Sequence, residues 1–224
     1  EQHKEFAVHL KGVQTKRTIS DAFEQTSSGE TLVNLMELDM LVGSGGVLSH
    51  APRRHQAARM LIDAFLPEGI TQLAVDSIFM MPQLGILSTI HPKAAVEVFE
   101  KDCLIRLGTC VAPVGKTKPD QAVLQYEINL PNEIISGELM PGELILIPAS
   151  YEPMEAHLIP GKGLDIGAGK NEKLDTKVYG GVVGIILDGR GRQPFILNDD
   201  TDLRVMNLVQ WSEATSEYPQ GEKA

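Results

Sequence analysis

The sequence predicts an α/β unit followed by a mainly β unit, and three observations carry that expectation. Up to about residue 103, short β-like apolar runs alternate with segments of helical spacing. A glycine turn, GSGG, joins one such run to the next helix. After Cys103 helical spacing fades, and short apolar runs (LIRL, AVLQYEINL, LILI, VVGIILD, PFIL) sit between Gly, Pro, Asn and Asp clusters, as in a small barrel or sandwich. The expected units are residues 1–103, α/β, and 104–215, mainly β, with a polar, frayed tail over 216–224.

Residues 5–13 alternate Phe6, Val8 and Leu10 with Ala7 and His9, a period of two that predicts a strand. Ser20 and Asp21 offer N-cap chemistry for a short helix through Phe23. Apolar residues at 32, 33, 35, 36 and 38 predict a helix from Thr31 to Leu38, and Leu38 to Val42 reads as a buried strand running into the glycines. Pro52 opens a helix whose Ala57, Ala58, Leu61, Ile62 and Phe65 share one face, and Pro67 with Gly69 ends it. Leu73 to Val75 is a short strand, Ser77 to Leu87 a buried element containing a proline, and Pro92 to Phe99 an amphipathic helix. Near the end, Asp202 to Trp211 reads as a helix that packs Leu203, Met206, Leu208 and Trp211.

Composition narrows the function classes. A chain of 224 residues is long enough to bury its own core. No stretch approaches the roughly 18 apolar residues that a membrane span needs. A net charge of −10 without a Lys/Arg stripe disfavours nucleic-acid binding, because phosphate neutralisation supplies most of that affinity. Cys103 and Cys110 lie in an apolar stretch and read as buried thiols, which suits a reducing cytoplasm. The first residues, Glu1 to Glu5, hold neither an initiator Met nor a signal pattern, so the chain is expected to begin inside a longer gene product.

The strongest chemical signal is GSGGVLSHAP, Gly43 to Pro52. A glycine turn between strand and helix brings main-chain N–H groups close to a ligand, and a helix N-terminus adds positive potential. The competing reading is that the glycines only let the helix pack on the sheet. The turn is no dinucleotide fingerprint, since Leu48 stands where the third glycine belongs. GLDIGAGK, Gly163 to Lys170, fails as a P-loop because Asn171 follows the lysine and the glycine spacing is one residue too long, so it reads as a turn. His50 and His55 lack the spacing of a helical zinc pair. Glu152, Glu155 and His157 form a polar group in which Glu155 and His157 share a strand face, as a metal site or a solvated edge. Arg190 and Arg192 flank Gly191 beside Asp188, either as a tight turn with internal ion pairs or as an anion or partner contact. No catalytic triad and no metal set assembles at recognisable spacing.

The strings DMLVGSGGVLSHAPRR, MLIDAFLPEGITQLAVDSIFMMPQLGILS and HPKAAVEVF, followed later by GGVVGIILDGRGRQP, resemble the second half of the glutamate mutase L proteins. That family belongs to the actin, sugar kinase and heat-shock chaperone superfamily, whose members bind ATP between two ribonuclease-H-like lobes. The resemblance implies a ribonuclease-H-like lobe for residues 1–103. It implies an adenosine motif in which Gly43, Ser44, Gly45, Gly46, Val47 and Ser49 line the nucleoside. It also implies ATP or ADP with magnesium as ligand, and chaperone-like service to a cobalamin-dependent mutase, with that mutase or the chain's own N-terminal lobe as partner. The superfamily's phosphate motifs and catalytic acid find no counterpart in this sequence, so catalytic residues are unassigned and the chain alone is expected to be inactive as an ATPase. A non-enzymatic assembly module that kept the fold and lost the nucleotide is the second expectation. A free-standing hydrolase or transferase is the third.

Overall fold

The computed structural model describes residues 34–116, 118–192 and 200–218. The strand expected at 5–13 and the helix expected near Ser20 lie outside the described residues. The elements in order are β1 (Met40–Gly43), α1 (Gly46–Ser49), α2 (Arg54–Phe65), β2 (Gly69–Asp76), α3 (Met81–Ser88), α4 (Pro92–Val98) and β3 (Leu104–Ala112). They continue with β4 (Val114–Gly115), β5 (Leu124–Asn129), β6 (Ile134–Leu139), β7 (Leu144–Ile147), β8 (Pro153–Pro160), β9 (Leu164–Asp165), β10 (Leu174–Tyr179), β11 (Gly184–Asp188) and α5 (Thr201–Ala214). This is a mixed α/β chain whose later part is rich in strands, as its texture predicts.

A five-stranded mixed sheet runs in the order β1-β2-β3-β11-β7, and a four-stranded antiparallel sheet in the order β10-β8-β5-β6. The larger sheet takes two strands from before Cys103 and three from after it. β1 and β2 are parallel, as are β3 and β11, while β2 meets β3 and β11 meets β7 antiparallel. One face of the sheet carries α2: Ala57, Ala58, Leu61 and Ile62 pack on Leu73, Val75, Leu107, Cys110 and Ile186. The other carries the smaller sheet, through Val111, Ile185 and Leu187 against Leu124, Ile128, Leu158 and Val178. Layers on both faces explain β11, where every residue of GIILD is buried, a continuous apolar run where a one-sided strand would alternate. β8 does alternate, burying Met154, Ala156 and Leu158 and exposing Glu155, His157 and Ile159.

β3 and β11 approach closely at Gly108 and Gly184, which are register partners. A Cβ on Gly108 would overlap the Gly184 carbonyl oxygen, so neither strand tolerates a side chain there.

Several elements differ from their expected form. Leu35–Glu37 is a single 3-10 turn capped by the Asn34 side chain, and β1 starts two residues later than predicted. α2 starts at Arg54, where the Gln56 side chain accepts the Arg53 N–H, and it stops at Leu66 in the left-handed conformation before Pro67. The segment expected as a buried element at 77–87 is α3, of which only Leu84 is buried. α3 and α4 pack chiefly on each other, with Ala95 of α4 buried, and leave Ile86, Val96 and Val98 exposed. Both cysteines are buried free thiols, as expected, and burial pushes Cys110 up to about 12.

At the end of β11 the buried Asp188 carboxylate accepts the Arg190 backbone N–H at 3.0 Å, its Nε at 2.9 Å and its Nη2 at 2.8 Å, and Arg192 Nη1 at 3.0 Å. DGRGR is therefore the internally paired turn. Arg190 reaches Asp63 of α2 at 2.9 Å, and Arg59 bridges Asp63 and Glu217 at 2.8 and 3.0 Å. Arg192 also donates to the Pro67 carbonyl. Trp211 lies under Arg59 and Arg190, at 5.6 and 5.1 Å, and donates its indole N–H to the Gly142 carbonyl at 2.7 Å.

Burial raises the Asp188 pKa, but the two guanidiniums outweigh it and hold the group at about 2. A carboxylate depressed when folded stabilises above its unfolded value near pH 4, and that contribution is lost as pH falls from there through about 2. Asp188→Ala should therefore destabilise the chain by about 3–5 kcal/mol in urea unfolding at neutral pH, because it strands buried arginines. The difference between wild type and variant should shrink on acidification toward pH 2.

Candidate functional site

The parallel strands β1 and β2 end side by side, with Gly43 opposite Val75, and the turns that follow them form one surface. In open α/β sheets this carboxyl end is where ligands bind. The glycines after β1 serve different purposes. A Cβ on Gly43 would lie 2.6 Å from Leu48 Cδ1 and 2.8 Å from Leu61 Cδ2, so this glycine lets α2 pack on the sheet. Gly45 has φ +104°, a conformation that L side chains rarely adopt. Gly46 has neither constraint: its φ is ordinary, and an added Cβ would meet only His50 Cδ2, at 4.0 Å.

The turn is fixed from inside. Ser49 Oγ donates to the Gly45 carbonyl at 2.6 Å, Leu48 and Ser49 N–H groups donate to the same oxygen, and Arg54 Nη1 donates to the Ser49 carbonyl at 2.9 Å. Ser44 Oγ donates to Asp76 Oδ2 at 3.3 Å. Val47 is 75% exposed at the rim. The turn leads first into α1, a single helical turn, and α2 starts at Arg54, close to the Pro52 start expected and eight residues after Gly46. One helical turn sums few peptide dipoles, so open backbone and not a helix dipole is what this surface offers.

Asp76, the last residue of β2, is buried and joins both turns. It accepts the Ile78 N–H at 3.4 Å and the Met81 N–H at 3.0 Å as well as the Ser44 hydroxyl. Burial raises its pKa, and the N–H groups of Met81, Met80 and Ile78 with the Ser44 hydroxyl together hold it below the ordinary carboxylate value. Sequence reading passed over Asp76. Its signal was an acidic residue closing an apolar strand, LAVD, directly before a turn.

The remaining candidates fall elsewhere. In GLDIGAGK the Asp165 carboxylate accepts the Gly167 and Gly169 N–H groups at 2.7 and 3.1 Å, so the loop's donors are filled by its own side chain. Glu155 and His157 share the exposed face of β8, where Lys177 lies 3.6 Å from Glu155 and Asp175 lies 2.8 Å from His157 Nδ1. The Asp175 contact raises the His157 pKa. His50 is exposed and His55 half-buried. Among the described residues no group of three or more His, Cys, Asp or Glu could hold a metal ion. No helix among them is long and apolar enough to cross a membrane.

Residues 3–103 match the model of the family described as MutL protein, and the matched stretch contains β1, the glycine turn, β2 and Asp76. No curated protein and no solved structure matches the chain.

The glycines separate by substitution. Gly43→Ala should lower stability by about 1–3 kcal/mol through overpacking of Leu48 and Leu61. Gly45→Ala should cost about 1–2 kcal/mol of backbone strain. Gly46→Ala should leave the thermal midpoint where it is or raise it. Melting curves of the three variants check this ranking.

Proposed function

With residues 3–103 belonging to the MutL family of the glutamate mutase L type, we propose that the chain supplies the nucleoside-binding surface of an ATP-dependent accessory protein of a cobalamin-dependent mutase. The lobe is of the ribonuclease-H-like kind, and Gly43, Ser44, Gly45, Gly46, Val47 and Ser49 flank the adenosine. The observation that carries this reading is Gly46: packing explains Gly43 and backbone angle explains Gly45, while neither requires glycine at 46. A glycine that the fold does not need leaves room for something outside it. Gly45 supports the same reading, since nothing stands within 4 Å of a Cβ built there.

The chemistry offered is binding and not turnover. Transfer of a phosphoryl group needs preorganised charge around the phosphates and the attacking water. The described surface presents main chain, apolar rim and an already saturated Asp76 carboxylate. Magnesium would accompany the nucleotide and would be held chiefly by its phosphates. A second reading, an assembly module without nucleotide, draws on the outward apolar residues Ile86 of α3, Ile90 of the turn after it and Val96 of α4.

Calorimetric titration of ATP and ADP with magnesium into the 224-residue chain tests the choice. Gly46→Val should weaken binding by about tenfold or more, a loss of about 1.4 kcal/mol per decade, with unchanged far-ultraviolet circular dichroism. The purified chain should show no magnesium-dependent ATP hydrolysis above background. Retained nucleotide affinity in a folded Gly46→Val variant would place the nucleotide away from the glycine turn, and a wild-type chain that takes up neither nucleotide would move the function to the assembly reading.

A further inference from the structure

Phe79 has φ +58°, in the left-handed region that a bulky side chain seldom occupies, and its side chain is 51% exposed. Among the described residues three other non-glycine residues share that backbone region, and two of them have plain explanations: Leu66 terminates α2, and Asn171 is a residue that tolerates the conformation in turns. At Phe79 glycine or asparagine would serve the turn better, and exposure deprives the ring of much of its value to the core. The fold thus keeps a strained, exposed aromatic ring against its own local preference.

Its position supplies the reason. Phe79 lies in the turn between β2 and α3, and the Asp76 carboxylate that accepts Ile78 N–H and Met81 N–H on either side of it also holds Ser44 of the glycine turn. One buried group therefore fixes the strained turn and the glycine turn to each other at the carboxyl end of the parallel pair. The two turns carry exposed apolar groups, Val47 at 75% and Ile78 at 57%. A flat, weakly hydrated ring fits such surroundings better than a phosphate does. We propose that Phe79 is the platform on which the purine base of the bound nucleotide stacks, with the open backbone at Gly45 and Gly46 beside the sugar. This rests on the nucleoside-binding reading above and adds to it the residue that grips the base.

The test uses the full 224-residue chain, with adenosine and ATP as separate probes in calorimetric titrations. Phe79→Gly should weaken both probes by the same factor, roughly tenfold or more, since stacking on an aromatic side chain is the contact removed and the phosphates are untouched. Its thermal midpoint should stay or rise, because glycine relieves the positive φ. Phe79→Trp should restore binding. Unchanged adenosine affinity in Phe79→Gly, with Gly46→Val still defective, would overturn this inference alone and assign the ring to a protein partner. A midpoint lowered by several degrees would overturn it in favour of a packing role. A wild-type chain that takes up neither probe at millimolar concentration would overturn the nucleoside reading and this inference together.

Discussion

The Asp188 carboxylate, buried at the end of β11 between β3 and β7, is the group around which the rest of the molecule is arranged. A buried charge is tolerated only when it is paired and hydrogen-bonded, and Asp188 obtains its partners from the two arginines of its own turn. Those arginines carry the constraint outward. Arg190 fixes Asp63 on α2, and Arg192 reaches the Pro67 carbonyl 125 positions earlier in the chain. The helix that roofs the sheet beneath the glycine turn is therefore located by residues from the far end of the sequence.

A second carboxylate organises the opposite end of the sheet. Asp76 is the counterpart of Asp188 in burial, but its partners are neutral N–H and O–H groups, so it stores no ion pair and instead locks two turns together. The two acids divide the labour: one secures layers, the other shapes a surface. Between them lies Leu61 on α2, which packs in the core and sets the limit on Gly43.

Local patterning made much of this legible. The helical spacing of Ala57, Ala58, Leu61 and Ile62 located α2, and the apolar run GIILD located a buried strand. The glycine turn stood out because four short residues in sequence have few uses, and the internal pairing of DGRGR followed from an acid beside two bases. What escaped was long-range. That β3 pairs with both β2 and β11 depends on tertiary register, which no local period encodes. The segment at 77–87 read as buried because Ile78, Phe79, Met80 and Met81 are apolar, yet α3 and α4 find each other before they find the sheet. Phe79 was invisible for a different reason: its significance lies in a backbone angle, and phenylalanine gives no warning of a positive φ.

The interleaved order of the large sheet bears on how the chain comes into being. β2 finds one of its neighbours only once β3 has emerged, and β3 in turn waits for β11, about seventy residues further along. During synthesis from the N-terminus, the first three strands, the glycine turn and α2 therefore exist for a time with an open sheet edge and with Asp63 lacking its Arg190 partner. A nascent chain stalled before Asp188 would present those unpaired edges to its neighbours, and a cut at residue 103 would leave two pieces that each lack half of a common sheet. α2, and with it the seat of Leu61 against Gly43, is thus completed only when Arg190 and Arg192 have arrived from the far end of the chain.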